Sequence, residues 1–282
     1  MENTKDEIRE FLVLGEEEGD RLDVYLSSQL GEMSRSYIQK IIKDKKVKVN
    51  GKIEKAKYAV KEDDSVVIEI PAPKLLEVIP QDIPIDIVYE DDDIIVVNKQ
   101  NGLVVHPAVG NPTGTLVNGL MYHSKNLSKV NGEFRPGIVH RIDAFTTGLL
   151  VVAKNDYAHE FLARQLENKT THRIYVALVW GVINEDTGTI DAPIGRDKKD
   201  RKKMAVTSEN SKNAVTHFKV IERYKDATLI ELKLETGRTH QIRVHMAFIG
   251  HPLVGDLVYG YKRQKFNVEG QVLHAKTLGF IH

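Results

Sequence analysis

The stretch Gly137-Ile-Val-His140-Arg141-Ile-Asp143-Ala-Phe-Thr146-Thr147-Gly148-Leu-Leu-Val-Val152 joins a polar turn to an apolar run. The turn places the carboxylate of Asp143 beside a histidine, an arginine and hydroxyl groups. The run from residue 149 to 153 predicts a buried apolar strand. A carboxylate held beside cations where a strand begins suits a nucleophile or a general base. A lone aspartate is more often a cap or a salt-bridge partner, so this interpretation needs support from other residues.

A second polar segment, residues 235–246, supplies cations about a hundred residues downstream. The sequence predicts a helix over residues 239–248. Arg243 has the forked guanidinium that pairs well with a carboxylate, and we expect it to contact Asp143. Such a neighbour favours the ionised carboxylate, which suits attack or proton abstraction and not acid catalysis. His240 and His245 are five residues apart and share no helix face, so we expect no metal site.

Tyr175 lies in a predicted strand, residues 173–180. An aromatic side chain at an inward strand position is usually part of a hydrophobic core. If it closes an active site instead, it offers a flat face for a base and a phenol for hydrogen bonding.

The composition limits the protein class. The chain has 282 residues, enough for two domains, and contains no cysteine, which excludes disulfides and thiolate catalysis. No apolar run is long enough for a membrane span, and the acidic N-terminus does not resemble a signal peptide. We therefore expect a cytoplasmic protein without membrane attachment, and a monomer.

The charges are segregated although the net charge is zero. Residues 1–23 carry nine acids and three bases, whereas residues 34–57 carry nine bases and two acids. Local patches decide how a polyanion is steered, so the zero sum does not exclude RNA. The candidate RNA contacts are Arg35, Lys40, Lys43, Lys46 and Lys48. The alternative is a solvated basic helix with no ligand.

The N-terminal part reads as a small unit. Leucines recur at helical spacing over residues 22–30, and Ser34 is a suitable N-cap for a second helix. Asn50-Gly51 predicts a hairpin turn, and residues 66–70 predict a strand. We place a first domain at residues 1–73 and an extended linker with two prolines at residues 74–86.

The second domain is expected at residues 87–282. Strands are predicted at 94–97, 103–105, 149–153, 173–180, 214–221 and 229–234, and helices at 155–166 and 239–248. Many strands with few helices predict an α+β fold with a mixed, largely antiparallel sheet. The acidic residues 90–93 are interpreted as a hairpin turn and not as a metal site.

Together these motifs resemble RNA pseudouridine synthases of the RluA family, in particular the RluD-like members that carry an N-terminal S4 RNA-binding domain. The S4-like residues are 19–23, 34–36, 39, 42 and 47–51. The synthase-like residues are 98–99, 102–107, 114–118, 136–143, 146–149, 175–179, 236–246 and 250–256. The resemblance spans about residues 15 to 280.

The resemblance implies a reaction. A uridine is flipped out of folded RNA, its N-glycosidic bond is broken, and the uracil is turned and rejoined to the ribose through C5. It implies no cofactor or metal, and its S4-like domain points to large-subunit ribosomal RNA as the substrate. It also implies a small S4-like domain followed by a pseudouridine synthase catalytic domain.

The same resemblance implies residue roles. Asp143 is the essential carboxylate, acting as nucleophile or as base. Tyr175 stacks on the uracil and assists deprotonation at C5, Arg243 holds Asp143, and Arg141 occupies the place of the flipped nucleotide. His140 and Thr146 are expected to contact the substrate with Arg141.

Some positions depart from the family pattern, namely Gln100, Ala144-Phe145, Phe248 and Leu257. They bear on target choice and turnover more than on the fold. The chain also ends at residue 282, where relatives usually continue through another strand, so we expect a truncated C-terminus with an exposed sheet edge. A non-catalytic RNA-binding or ribosome-assembly protein remains an alternative. A hydrolase with two carboxylates is a third reading, for which Asp156 and Glu160 are the candidate partners of Asp143.

Overall fold

A computed structural model describes residues 6–31, 33–71, 78–108, 110–201, 203–263 and 265–282. The chain divides into two compact units, Met1–Leu75 and Leu76–His282. The predicted boundary at residue 73 and the first part of the predicted linker lie outside the described residues. Residues 78–86 form no helix or strand, and Gln81 hydrogen-bonds to the backbone of Gly114 and Asn118 at 2.7 and 3.0 Å. This segment therefore packs on the second unit.

The first unit combines two helices with a three-stranded antiparallel sheet of order β1-β3-β2. Its elements are β1 (Glu7–Leu12), a 3-10 turn (Gly15–Glu17), α1 (Leu22–Gln29), α2 (Arg35–Lys43), β2 (Val47–Val49) and β3 (Ser65–Ile70). The predicted cap is present, because the Ser34 hydroxyl accepts a hydrogen bond from the amide of Tyr37. Asn50 and Gly51 both have positive φ, as a tight hairpin turn requires.

Two features of this unit were not predicted. The turn at Asn50-Gly51 joins only a short pair, Val49 opposite Lys52, and β2 finds its main partner in β3. The strand β1 arises from an acidic segment with little alternation, and it pairs along its whole length with β3. Its backbone partner lies more than fifty residues away, so no local pattern could reveal it.

The second unit is built on an eight-stranded sheet of order β4-β5-β6-β13-β7-β12-β11-β8. Its strands are β4 (Ile87–Glu90), β5 (Ile94–Lys99), β6 (Thr147–Ala153), β7 (His172–Trp180), β8 (Thr187–Asp191), β9 (Ile194–Arg196), β10 (Met204–Val206), β11 (Val215–Arg223), β12 (Ala227–Leu234) and β13 (Leu273–Gly279). Its helices are α3 (Leu116–His123), α4 (Asp156–Glu167) and α5 (Gln241–Phe248). Strands β9 and β10 form a separate hairpin-like pair.

Only the pairing of β13 with β6 is parallel in the large sheet as described, so the predicted α+β fold with a mixed, largely antiparallel sheet is confirmed. Successive side chains of a strand point to opposite faces. On one face, α3 and α5 cover a core that includes Val97, Leu150 and Leu232. On the other face, α4 packs against Val151. The predicted strand at residues 149–153 is thus buried on both faces.

The predicted strand at residues 103–105 is wrong. The carbonyls of Val104 and Val105 accept hydrogen bonds at 2.8 and 3.0 Å from the amides of Leu116 and Val117, in the first turn of α3. Amides in the first turn of a helix have no acceptor within the helix, and here the carbonyls of a buried apolar loop accept their hydrogen bonds. The acidic residues 91–93 form the expected turn between β4 and β5, where Asp91 accepts hydrogen bonds from the amides of Asp93 and Ile94.

No helix among the described residues has the length and apolar character to cross a membrane.

Candidate active site

Asp143 lies in the loop that leads into β6. The loop closes on itself, because the amide of Thr146 donates to the carbonyl of Asp143 at 3.0 Å. The carboxylate is 23% exposed, and its Oδ2 accepts from Nη1 of Arg243 at 2.8 Å. The contact expected between these two residues, a hundred positions apart, is present. The carboxylate is therefore held on one side and open to a cavity on the other.

Arg243 projects from α5 and is almost buried. Its Nε and Nη2 donate to the two carboxylate oxygens of Asp256 at 2.7 and 3.0 Å, while Nη1 serves Asp143. Burial opposes the charge of the guanidinium, but the hydrogen bonds and charges of Asp256 and Asp143 raise the pKa of Arg243. The ring of Tyr259 stands 5.0 Å from the guanidinium carbon. This fixed fork can orient Asp143 without rearranging.

Asp256 is the buried counter-charge that fixes Arg243. Burial alone would raise its pKa, but hydrogen bonds from Arg243 and from the amides of Val258 and Tyr259 lower the pKa of Asp256. Asp256 lies in the synthase-like motif at residues 250–256, but the motif alone indicated no role for it.

Lys99 is a second residue whose place the sequence did not reveal. It ends β5 on the same face as Ile95 and Val97, and its side chain is fully buried. Its ammonium donates to the carbonyls of Gln100 and Ala144 at 2.9 and 2.7 Å. Burial lowers the pKa of Lys99 to about 8, against the opposing charge of Asp143. Lys99 thereby ties β5 to the residue that follows Asp143.

His240 stands on the other side of Asp143. It is the N-cap residue of α5 and has a φ of 56°, and its Nε2 is 3.7 Å from Oδ1 of Asp143. Its Nδ1 is 2.7 Å from the hydroxyl of Tyr259, which also accepts from the amide of Met204. If the Tyr259 hydroxyl donates to Nδ1, the proton on Nε2 points towards Asp143. Burial lowers the pKa of His240, with Asp143 opposing, and this favours the neutral ring.

Tyr175 lines the same cavity as Asp143. It is a buried residue of β7, paired with Leu232 on one side and Ala275 on the other. Burial raises the pKa of Tyr175, so the phenol stays protonated at neutral pH. A neutral ring fixed in a sheet presents a flat face to this cavity.

The three residues expected to contact the substrate occupy different environments. Arg141 is exposed and lines the cavity. Thr146 also lines it but is buried, and its hydroxyl accepts from Gln271 at 3.1 Å. His140 accepts a hydrogen bond from the amide of Val151 at 3.2 Å. Burial, and to a lesser extent the charge of Arg173, lowers the pKa of His140 to about 4. His140 therefore holds β6 in place as a neutral ring.

The basic residues of the first unit fall into two groups. Lys40, Lys43 and Lys48 are exposed. Arg35 instead forms an ion pair with the buried Asp23 at 2.9 Å. Lys46 forms ion pairs with Glu69 at 2.5 Å and with Asp6. Local ion pairs reduce the charge that the second group can offer to RNA.

The residues that depart from the family pattern lie around the site loop and on the surface. Gln100 donates to the carbonyl of Pro84 at 3.0 Å. Phe145 covers Gly270, where a Cβ would approach the ring to 2.4 Å. Phe248 and Leu257 are both exposed. The apolar pair after Asp143 is therefore packed against a neighbouring loop through Phe145.

The geometry defines an enzyme site in which a clamped carboxylate and a buried aromatic ring face one cavity. Residues 93–248 match the family of RNA pseudouridylate synthases, and residues 20–66 match the S4 domain. The chain belongs to the RNA pseudouridylate synthase family, and it is therefore an isomerase.

Relatives of similar length support this assignment. An uncharacterized RNA pseudouridine synthase of Bacillus subtilis, YlyB, is 56% identical over 95% of this chain and 88% of its own. The ribosomal large subunit pseudouridine synthase D of Zymomonas mobilis is 46% identical over 94% of this chain and 86% of its own. Among solved structures, human RNA pseudouridylate synthase domain containing 1 has a TM-score of 0.59 and 30% identity, over 73% of this chain and 80% of that one.

Proposed function

We propose that this protein converts specific uridines of large-subunit ribosomal RNA to pseudouridine, with Asp143 as the essential carboxylate. The observation that carries the proposal is the bridge that Arg243 makes between Asp143 and buried Asp256, beside Tyr175 in one cavity. The substrate class is supported by the names of relatives in Zymomonas mobilis and Neisseria meningitidis, the latter 47% identical over 94% of this chain and 72% of its own.

The proposed reaction needs positioning more than an added reagent. The product is an isomer of the substrate, so no group leaves the RNA and no electrons are exchanged. The uracil must stay next to the ribose after the glycosidic bond breaks, which a rigid pocket achieves by removing its freedom to diffuse. Tyr175 supplies the flat face for the uracil. No metal or cofactor is part of this proposal.

Asp143 acts on the ribose side of the pocket, as a nucleophile or as a base. Arg243 holds the carboxylate in its orientation through one hydrogen bond, and Arg141 fills the space that the flipped uridine leaves in the RNA. The first unit adds RNA affinity through Lys40, Lys43 and Lys48, with Arg35 and Lys46 at its edge. We place the protein in the cytoplasm as a monomer.

The competing functions find no support. The relatives above carry synthase names, and nothing in them favours a non-catalytic RNA-binding protein. A two-carboxylate hydrolase would need a second acid beside Asp143. Asp156 accepts a hydrogen bond from Ser128 at 2.7 Å at the start of α4, and Glu160 lies further along this helix, which covers the opposite face of the sheet.

The test is tritium release from ribosomal RNA transcripts labelled at uridine C5, because the C5 hydrogen is lost when C5 bonds to the ribose. Wild type should release tritium, and Asp143→Asn should release none while binding the RNA equally well. Asp92→Asn, which removes the charge of an exposed turn residue, should behave as wild type. Equal release by Asp143→Asn and wild type would remove Asp143 from its role, and no release by wild type would remove the proposed substrate.

A further inference from the structure

A second cavity of about 480 Å³ adjoins the one that contains Asp143. The two cavities share Arg141, Tyr175, Leu234 and Arg238 in their walls, so they lie side by side. We call this second cavity the Arg173 groove. Its cationic side chains are Arg141, Lys169, Arg173 and Arg238, and its acidic ones are Glu167 and Glu235.

Arg173 lies two residues before Tyr175 on β7, so both side chains point to the same face of the sheet. Its Nε is buried and has no hydrogen-bond partner among the described residues. A buried guanidinium N–H without an acceptor is costly, and in natural structures a water, an ion or a ligand usually completes it. The groove therefore contains a donor that still needs an acceptor.

The backbone opposite Arg173 leaves room for its guanidinium. At Gly237, a Cβ would lie 2.7 Å from Nη1 of Arg173. An alanine at this position would make the guanidinium move aside, which the end of a flexible side chain can do at little cost. The guanidinium of Arg173 thus lies directly against the turn after β12.

The acidic side chains of the groove do not neutralise Arg173. Glu235 is bound to His217 at 2.7 Å, and Glu167 is exposed at the end of α4. The Nε of Arg238 donates a hydrogen bond to the carbonyl of Asn213 at 2.9 Å. The excess of cations over acids, with one unpaired N–H inside, suits an anion.

We propose that the Arg173 groove binds a backbone phosphate next to the flipped uridine, with Arg173 as its main ligand. The inference rests on the proposed function, because a uridine beside Asp143 and Tyr175 carries its own phosphodiester links. With the base in the first cavity, the links on either side of it come close to the adjoining groove, which shares Arg141, Tyr175 and Arg238 with that cavity. A guanidinium pairs with phosphate through two parallel hydrogen bonds, and phosphate contacts fix register without reading sequence.

The experiment measures tritium release from C5-labelled ribosomal RNA at several RNA and salt concentrations. Arg173→Met should raise KM about 10- to 100-fold, as expected for loss of a charge-assisted hydrogen bond, and leave kcat within about twofold. The dependence of log KM on log salt should flatten by roughly 0.7–0.9, the value of one phosphate contact. Arg173→Lys should recover part of the affinity.

Two further variants make the result specific. Gly237→Ala keeps every charge but displaces the guanidinium, so it should raise KM, and by less than Arg173→Met does. Arg263→Met removes an exposed guanidinium outside the groove and should leave KM unchanged. If wild type is active and Arg173→Met equals Arg263→Met, the phosphate site is wrong and the synthase function stands. If wild type itself is inactive, the proposed function fails first.

A neutral linkage identifies the phosphate. Once wild type has shown which uridine it modifies, a methylphosphonate is placed on either side of it in a synthetic RNA. At one of the two positions, the KM of wild type should rise while the KM of Arg173→Met stays the same, which is the coupling that a direct contact produces. Independent effects at both positions, or a loss confined to kcat, would overturn the proposal.

Discussion

At the scale of single residues, the guanidinium of Arg243 serves two carboxylates with different exposure. Asp256 is fully buried and takes two hydrogen bonds from Arg243, while Asp143 is partly exposed and takes one. The buried partner fixes the arginine, and the arginine then presents a single N–H to the reacting carboxylate. Orientation of Asp143 is thus a property of three residues and not of one.

Removal of this arginine should be costly even apart from activity. Arg243→Met leaves Asp256 buried without its counter-charge, and breaking a buried pair typically costs about 3–5 kcal/mol. We expect a loss of this size in the free energy of unfolding measured with urea. The double variant Arg243→Met with Asp256→Asn should recover part of it, because no buried charge remains. A double variant as unstable as the single one would contradict this account.

Lys99 should make stability depend on pH. Its pKa falls from 10.5 to about 8 in the folded protein, so the unfolded chain binds more protons between these two values. Stability therefore rises with pH across this window, and the folded state is penalised below pH 8. Relative to Lys99→Met, the free energy of unfolding of wild type should increase by about 3 kcal/mol from pH 8 to pH 10.5. A constant difference between the two proteins would show that Lys99 is not desolvated.

The sequence predicted the reacting pair but not its support. Asp143 and Arg243 stand in motifs whose residue types indicate a carboxylate and its cation. Asp256 and the role of Lys99 depend on which buried group lies opposite, across gaps of 13 and 45 residues. One signal for Lys99 was available, since it continues the inward alternation of Ile95 and Val97.

At the scale of elements, the start of β6 requires glycine. Gly148 has a φ of 107°, and a Cβ there would lie 2.3 Å from the carbonyl oxygen of Ala275 in β13. The close approach lets β13 run parallel to β6, next to the loop that carries Asp143. The same glycine therefore supports both the sheet and the site.

A comparison of Gly148→Ala with Gly132→Ala should separate the cost of backbone strain from the cost of a steric clash of the added Cβ with β13. Gly132 also has a positive φ, 80°, but no atom lies within 4 Å of its added Cβ. We expect about 1 kcal/mol of destabilisation at Gly132 from backbone strain and about 1–3 kcal/mol more at Gly148 from the collision. Thermal unfolding of both variants measures the difference. Equal losses would mean that β13 moves aside without cost.

Strand prediction succeeded where the local pattern and the burial agree. It failed at residues 103–105, an apolar run whose carbonyls bind a helix instead of a strand. It also missed β13, a short strand with lysine, histidine and glycine whose neighbours lie about a hundred residues away. Both errors arise from partners that a local sequence window does not contain.

At the scale of the whole molecule, the zero net charge conceals an uneven distribution. The exposed candidates Lys40, Lys43 and Lys48 stand on α2 and β2, while Arg35 and Lys46 are paired with acids of the same unit. The acidic N-terminal segment therefore serves in part to neutralise basic residues nearby. The sequence counts predicted a basic patch, and the ion pairs show which of its members are already paired with acids.

Lys40, Lys43 and Lys48 should together account for part of the salt dependence of RNA binding. Replacing all three by glutamine removes up to three phosphate contacts, and each contact contributes about 0.7–0.9 to the slope of log affinity against log salt. We expect the slope to fall by about 2–3 while kcat at saturating RNA stays unchanged, because Asp143 is untouched. The matched control is Lys52, Lys55 and Lys57 to glutamine, which removes the same charge from exposed positions of the same unit. If both triple variants flatten the slope equally, the first unit attracts RNA through its total charge, and the proposed contact surface on α2 and β2 is wrong.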